Sequence, residues 1–275
     1  MTPLSLGYSP CPNDTFIFYA LVHGRIPGAP VFHEILEDIE TLNRRAGENA
    51  LDVTKISFHA LAHLRDRYAL LRSGGALGRG CGPLVVAGEP LAPSALKGKT
   101  IAIPGRLTTA ALLLRLFDPT LDRLVVMPFH EIMQSCLSGA VGAGVIIHES
   151  RFTYPQHGLH QVVDLGAWWE EETGHPIPLG GILAGRTLGT DLIGKIDEAL
   201  HASVRYAHTH PDEVRTYIRQ HAQEMDETVM QRHIDLYVND FTLDYGTQGE
   251  AAIAYLFERA EAEGVIPQST LPLFA

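Results

Sequence analysis

A short apolar run, Val145-Ile-Ile147, ends at once in His148-Glu149-Ser150. The run does not alternate, which is how a strand buried on both faces reads. In open α/β sheets, ligands sit just past the carboxyl ends of strands. A histidine there has its backbone held by the strand, and its imidazole is the side chain best suited to moving a proton near neutral pH. The same position also suits a histidine that only hydrogen-bonds a loop. Glu149 beside it could set the orientation or tautomer of the ring.

Four other places carry comparable residues. Ser9-Pro-Cys-Pro-Asn13-Asp14-Thr15 breaks a first strand, and Asn13 or Asp14 is expected to cap a helix from Thr15 to His23. The strand Leu51 to Ile56 ends in Lys55-Ile56-Ser57, with Ser57 placed to cap a helix from Phe58 to Arg65. Lys55 is one of only four lysines against seventeen arginines. At a strand end it can meet a carboxylate in a cleft or sit solvated at an edge. Thr108 and Thr109 follow the strand Thr100 to Ile103 and open a helix to Phe117. Hydroxyls beside the free N–H groups of a helix start suit a carboxylate or a polyol. Trp168-Trp169 could stack on an aromatic ligand, although packing under a lobe suits the pair better.

Three other readings are weak. His59 and His63 share a helix face at i and i+4, but no Glu follows His59 and no third ligand is apparent, so no metal site is expected. Ser73 to Gly82 is glycine-rich, yet it lacks the Lys and Ser/Thr of a phosphate-binding loop and precedes a strand, which argues against nucleotide binding. Close backbone approach or plain loop flexibility accounts better for those glycines. Cys11, Cys81 and Cys136 are odd in number and far apart, as reduced thiols are.

The elements that must position these residues alternate. Strands are expected at 4–8, 31–37, 51–56, 83–87, 100–103, 124–127, 141–147, 159–165 and 179–184, with helices between them and an almost wholly helical end from Thr190. That order gives an α/β class with mainly parallel sheets. Gly88-Glu-Pro-Leu-Ala-Pro93 reads as a linker, after which the pattern restarts. The expected division is a discontinuous first lobe, 1–88 plus 176–275, and a second lobe, 89–175, with a ligand cleft between them. Asn13, Ser57, Thr108, Thr109 and His148 all fall at strand ends or helix starts, where such a cleft lies.

The 275 residues carry a net charge of −11, which disfavours nucleic acid and anionic membranes as partners but leaves room for an anionic small substrate. The start, Met1-Thr-Pro-Leu-Ser-Leu6, has neither a basic nor an apolar leader region, and no apolar run reaches membrane-spanning length, so a cytoplasmic protein without membrane insertion is expected. A homodimer through the C-terminal helices is also compatible, though no exposed stripe is readable in them.

Three motifs carry a resemblance over the whole chain. Ser9-Pro-Cys-Pro-Asn-Asp-Thr-Phe16, Gly105-Arg-Leu-Thr-Thr109 and Ile146-Ile-His-Glu-Ser-Arg-Phe-Thr-Tyr154 resemble those of the 1,4-dihydroxy-6-naphthoate synthases of the futalosine route to menaquinone. The resemblance implies a two-lobed fold like type 2 periplasmic solute-binding proteins, working without a cofactor on cyclic dehypoxanthine futalosine. It implies His148 as proton acceptor, and Lys55, Ile56 and Ser57 with Thr108 and Thr109 as substrate-binding. Two rivals share the fold: chorismate dehydratase of the same pathway, and a binding protein for a small anion or polyol. The Ser-Pro-Cys-Pro-Asn-Asp-Thr motif favours the naphthoate synthases over the first. A histidine where a binder needs only hydrogen-bond donors disfavours the second.

Overall fold

The computed structural model describes residues 2–222 and 226–275. Among these the strands are β1 (Leu4–Tyr8), β2 (Phe32–Leu36), β3 (Val53–Ser57), β4 (Tyr68–Leu70), β5 (Ala76–Gly78), β6 (Leu84–Ala87), β7 (Ile101–Ile103), β8 (Leu124–Val126), β9 (Ala143–Ile146), β10 (His160–Asp164) and β11 (Ile177–Gly185). The α-helices are α1 (Pro12–Val22), α2 (Ile39–Gly47), α3 (Phe58–Ala62), α4 (Thr109–Phe117), α5 (Phe129–Leu137), α6 (Ser150–Thr153), α7 (Leu165–Thr173), α8 (Thr190–Thr209), α9 (Pro211–His221), α10 (Glu227–Tyr237), α11 (Asp240–Leu243) and α12 (Gly246–Ala262). No helix among the described residues is long and apolar enough to cross a membrane.

The strands form two sheets. The first runs β2-β1-β3-β11-β4, with β5 also paired to β11, and the second runs β10-β6-β9-β7-β8. The β1–β2, β1–β3, β7–β8 and β7–β9 ladders are parallel. Every ladder made by β6 or β11 is antiparallel. The sheets are therefore mixed, where strand–helix alternation predicts mainly parallel ones. A short run buried on both faces reads the same in either direction, and β6 and β11 are the strands on which the chain enters the second sheet and returns to the first.

Those two strands also locate the crossing. Sheet membership puts β6 with the second lobe, whereas a division after residue 88 leaves it with the first. Residues 88–93 look like a linker because they hold Gly and Pro, but they are a turn that leads from β6 into a short 3₁₀ turn at Pro93–Leu96. The chain crosses a few residues earlier. There Gly82 meets Gly166 so closely that a Cβ on Gly82 would stand 2.3 Å from the Gly166 Cα. Arg151 spans the same point, donating to the Gly82 carbonyl at 2.5 Å and to Asp164 at 2.6 Å.

Elsewhere the local rules hold with small shifts, except that Ser57 stands at the N-cap of α3 without a side-chain capping bond and that helix ends at Ala62 rather than Arg65. Asp38 caps α2 as its position suggests, accepting from the Glu40 and Thr41 N–H groups. The first helix starts three residues early, with Cys11 as N-cap and Pro12 in the first turn, so Asn13 and Asp14 lie inside the helix rather than capping it. Proline suits that place because its missing N–H has no partner to lose there. Trp169 is fully buried and donates to the Pro176 carbonyl at 3.3 Å, while Trp168 packs edge-on against Phe117. The pair is packing, not a ligand platform. One apolar cluster joins the lobes, from Leu61 and Tyr68 through Leu112 and Leu113 to Trp169 and Phe257.

Replacing Gly82 with Ala forces backbone against backbone at the crossing. We expect Gly82→Ala to lower stability by about 1–3 kcal/mol, measured by urea unfolding, whereas an unchanged midpoint would mean that the crossing tolerates a shift.

Candidate active site

A cleft lies between the lobes. Ser9, Asn13, Asp14, Lys55 and Ser57 line it from the first lobe, and Thr108, Thr109 and His148 from the second. Apolar wall is supplied by Ala76, Pro83, Ile147, Leu179 and Tyr237. Side-chain alternation explains how β3 contributes. Lys55 and Ser57 point to one face of the sheet, and Ile56 points to the other. Ile56 is fully buried in the core, so the site can receive only its backbone. The other predicted residues, Asn13, Lys55, Ser57, Thr108, Thr109 and His148, come together in this one cleft.

Its polar centre is an ion pair. Lys55 Nζ donates to Asp14, and both side chains are almost wholly buried, at 8% and 1% exposure. Asp14 also accepts from Ser9 Oγ at 2.6 Å, from the Ser9 N–H at 3.2 Å and from Asn13 Nδ2 at 2.9 Å. This is the dense hydrogen bonding that a buried charge requires. The carboxylate that Lys55 meets therefore belongs to the protein. A lysine ammonium carries three donors, so Lys55 still has N–H groups to offer a ligand.

Around the pair, residues of one lobe hold the polar groups of the other. Asn43 of α2 accepts from the Ser57 N–H at 2.9 Å and donates to the Leu107 carbonyl at 3.4 Å. His59 Nδ1 donates to the Thr108 carbonyl at 3.2 Å. Glu40 accepts from the Arg106 N–H at 3.0 Å. Thr108 caps α4 by accepting from the Ala111 N–H at 3.2 Å, and Thr109 Oγ1 donates to the Leu179 carbonyl at 2.5 Å. The lobes thus meet on both sides of the α4 N-terminus, whose first N–H groups have no partner within the helix. His59 is one of these ties, and His63 is not needed to explain it.

His148 stands just past the end of β9 with φ at 57°, the left-handed region that a non-glycine residue seldom occupies. Such a conformation is held by its surroundings and is characteristic of functional turns. The ring packs edge-on against Phe129 at 5.1 Å, and its Nδ1 lies 3.4 Å from Cys11 Sγ. Burial lowers its pKa to about 4, with the Asp14 carboxylate opposing and the Lys55 ammonium reinforcing that shift. Near neutral pH the imidazole therefore holds a lone pair. A second hollow, lined by Ser9, Cys11, Asp38 and Phe129 among others, adjoins it, and His148 borders both.

Three residues of the site escape the sequence. Asp14 reads as a cap because Asp before an apolar run usually is one. Cys11 reads as an ordinary thiol. His233 reads as one position of the α10 stripe, although a histidine on an otherwise apolar stripe is the signal that could have found it. Cys11, His148 and Glu149 bring their donor atoms within 4.8 Å of one another, close enough for an ion. Burial and the Glu149 and Asp14 charges push the Cys11 thiol well above its ordinary pKa, so it is a poor source of the thiolate a soft metal needs.

Comparison with known proteins gives the family. A family model described as "Menaquinone biosynthesis" matches residues 4–262. The chain belongs to that family. It is 56% identical over 274 residues to a 1,4-dihydroxy-6-naphthoate synthase of Thermus thermophilus, with all of both chains covered. It is 50% identical to one of Streptomyces coelicolor, with 96% of this chain and 95% of that one covered. A crystal structure of an Archaeoglobus fulgidus protein superimposes with a TM-score of 0.91 at 39% identity, covering 96% of this chain and 98% of that one. An alkanesulfonate-binding protein of Xanthomonas axonopodis gives a TM-score of 0.72 at 15% identity, with 98% and 96% covered, a likeness of fold alone. The fold is thus the two-lobed, periplasmic-binding-protein-like α/β architecture.

Removing one partner of the central pair leaves the other charge buried. Asp14→Asn is expected to lower stability by about 3–5 kcal/mol, read by denaturant unfolding. Acid acts through the buried histidines. Burial holds His59 neutral down to about 4 and His233 well below its ordinary value, while the same residues in the unfolded chain take up protons near 6.5. Their contribution is complete above about pH 6.5 and is lost as the pH falls toward the folded values, by up to about 1.4 kcal/mol per unit for each group. Melting temperatures should therefore drop steadily from pH 7 to pH 5, and a flat profile would contradict this account.

Proposed function

We propose that the chain is a 1,4-dihydroxy-6-naphthoate synthase, a cofactor-independent lyase that converts cyclic dehypoxanthine futalosine to the naphthoate and a sugar-derived fragment in the cytoplasm. The observation that carries this reading is a neutral His148 at the end of β9, facing a cleft lined by hydroxyls and one ammonium, in a chain 56% identical over its full length to a protein of that name.

In this reading His148 is the general base. With its proton on Nδ1, directed at Cys11 Sγ, the ring keeps its lone pair on Nε2. It takes a proton from the substrate, the carbon–carbon bond in the spiro-linked sugar portion breaks, and the electron pair is taken up by the ring system as it becomes aromatic. The backbone N–H groups at the α4 N-terminus and the spare N–H groups of Lys55 receive the carboxylate, while the Thr108 and Thr109 hydroxyls, donating to the Gly105 and Leu179 carbonyls, hold that helix start in place beside it. Ser57 and Asn13 complete the polar wall that orients the sugar portion, and Ile56 takes part through its backbone. The contacts between Glu40, Asn43, His59 and the start of α4 keep the lobes together and water out. A homodimer through the C-terminal helices belongs to the same reading, and sedimentation velocity distinguishes one chain from two.

The deciding experiment is a product assay with chelator-treated protein and cyclic dehypoxanthine futalosine. Formation of 1,4-dihydroxy-6-naphthoate supports the reading. Saturable binding without turnover points instead to a binding protein, and water loss from chorismate to the dehydratase. Asn tolerates left-handed backbone, so His148→Asn tests the base without straining the turn. It should lower kcat by at least about 100-fold. The acid limb of kcat/KM should lie near 4 rather than near the 6.5 of an ordinary histidine, because only the neutral ring is active. A limb at the ordinary value would remove His148 from the role.

A further inference from the structure

A second histidine shares the cleft. His233 of α10 is 1% exposed, lines the cleft, and lies nearly parallel to the His148 ring with centroids 6.4 Å apart. Its Nε2 is 2.9 Å from Asn13 Oδ1, while its Nδ1 is buried without a hydrogen-bond partner among the described residues.

Asp14 fixes the direction of every bond in this chain. Paired with Lys55, it is a carboxylate and can only accept. Asn13 must therefore turn its NH₂ toward Asp14, at 2.9 Å, and its oxygen toward His233. An amide oxygen accepts, so the proton of His233 is on Nε2. Burial and the nearby Lys55 charge oppose a second proton, which leaves a lone pair on Nδ1. Buried polar atoms are rarely left unpaired in native proteins. This one belongs to a residue that lines the cleft, and a ligand's donor reaches it once the ring shifts to expose it.

We propose that His233 Nδ1 accepts a hydrogen bond from a hydroxyl of the substrate's sugar portion, with its tautomer locked by the Lys55–Asp14–Asn13 chain. This assignment rests on the function proposed above. An acceptor at this point takes a hydroxyl and repels a carboxylate, so His233 also sets which end of the substrate lies beside His148. The carboxylate end is left to the donors at the start of α4.

Two variants separate the two ring nitrogens. The amide of Gln reaches the place of Nε2 and still donates to Asn13, but the Nδ1 acceptor is lost. The oxygen of Asn stands near the place of Nδ1 and still accepts, but the tie to Asn13 is lost. His233→Gln should raise KM about tenfold, the effect of one lost hydrogen bond, and His233→Asn should recover part of that loss. In a series of substrate analogues each lacking one sugar hydroxyl, one analogue should abolish the difference between wild type and His233→Gln. Independently, ¹⁵N NMR of the wild-type protein should show His233 protonated on Nε2, with the Nδ1 signal moving toward the bonded range when that substrate is replaced by a non-reacting analogue that keeps the hydroxyls. A wild type that makes no naphthoate would sink the functional reading beneath this one. An active wild type with unchanged KM in His233→Gln, or a proton found on Nδ1, would overturn the assignment itself, and the NMR result decides even if the variants do not fold.

Discussion

The buried pair of Lys55 and Asp14 is the constraint from which the site follows. It joins β3 to the first turn of α1 and places a positive and a negative charge where water hardly reaches. Such a pair is tolerable only with its remaining capacity filled, and Ser9 and Asn13 fill it. The consequence runs outward. Asp14 orients Asn13, Asn13 orients His233, and the charges of the pair act in opposite senses on the imidazole of His148. An apolar replacement of the pair could hold the two elements together, but it could not impose direction on the hydrogen bonds around them.

The second requirement is that two sheets, each with its own strands, meet at one place. The chain crosses at Gly82, where two glycines allow backbone to touch backbone, and returns through β11. Polar groups from α2 and α3 then grip the loop that leads into α4. The helix start that can receive an anion is thus fixed relative to β3 and to the histidine beyond β9. A reaction that needs a base and an anchored substrate needs that fixed relation more than it needs any single strong contact.

The fold alone says little about chemistry. A binding protein at 15% identity shares it. In the function proposed above, what turns such a cleft toward proton transfer is a titratable group kept neutral at its wall. His148 meets that condition through burial, against the pull of the Asp14 carboxylate. The left-handed turn that carries it follows directly on a short buried strand, and the ring stands at the border of two hollows.

The sequence by itself determined the alternation of elements, the cap at Asp38, the packing of the Trp pair, and the cluster of polar residues at strand ends. These depend on local composition and period, which neighbours in the chain carry. It also marked Asn13, Ser57, Thr108, Thr109 and His148 as residues of one cleft, because strand ends converge in such folds, and the family resemblance added Lys55. Only the tertiary structure decided the antiparallel entry of β6 and β11, since a run buried on both faces does not encode its direction. The partner of Lys55 came from a segment forty-one residues away in the chain, and His233 meets Asn13 across two hundred and twenty. Ile56 faced the core because alternation along β3 allows only every second residue to reach the cleft. Pairings of that kind depend on how distant elements pack, which no local pattern records.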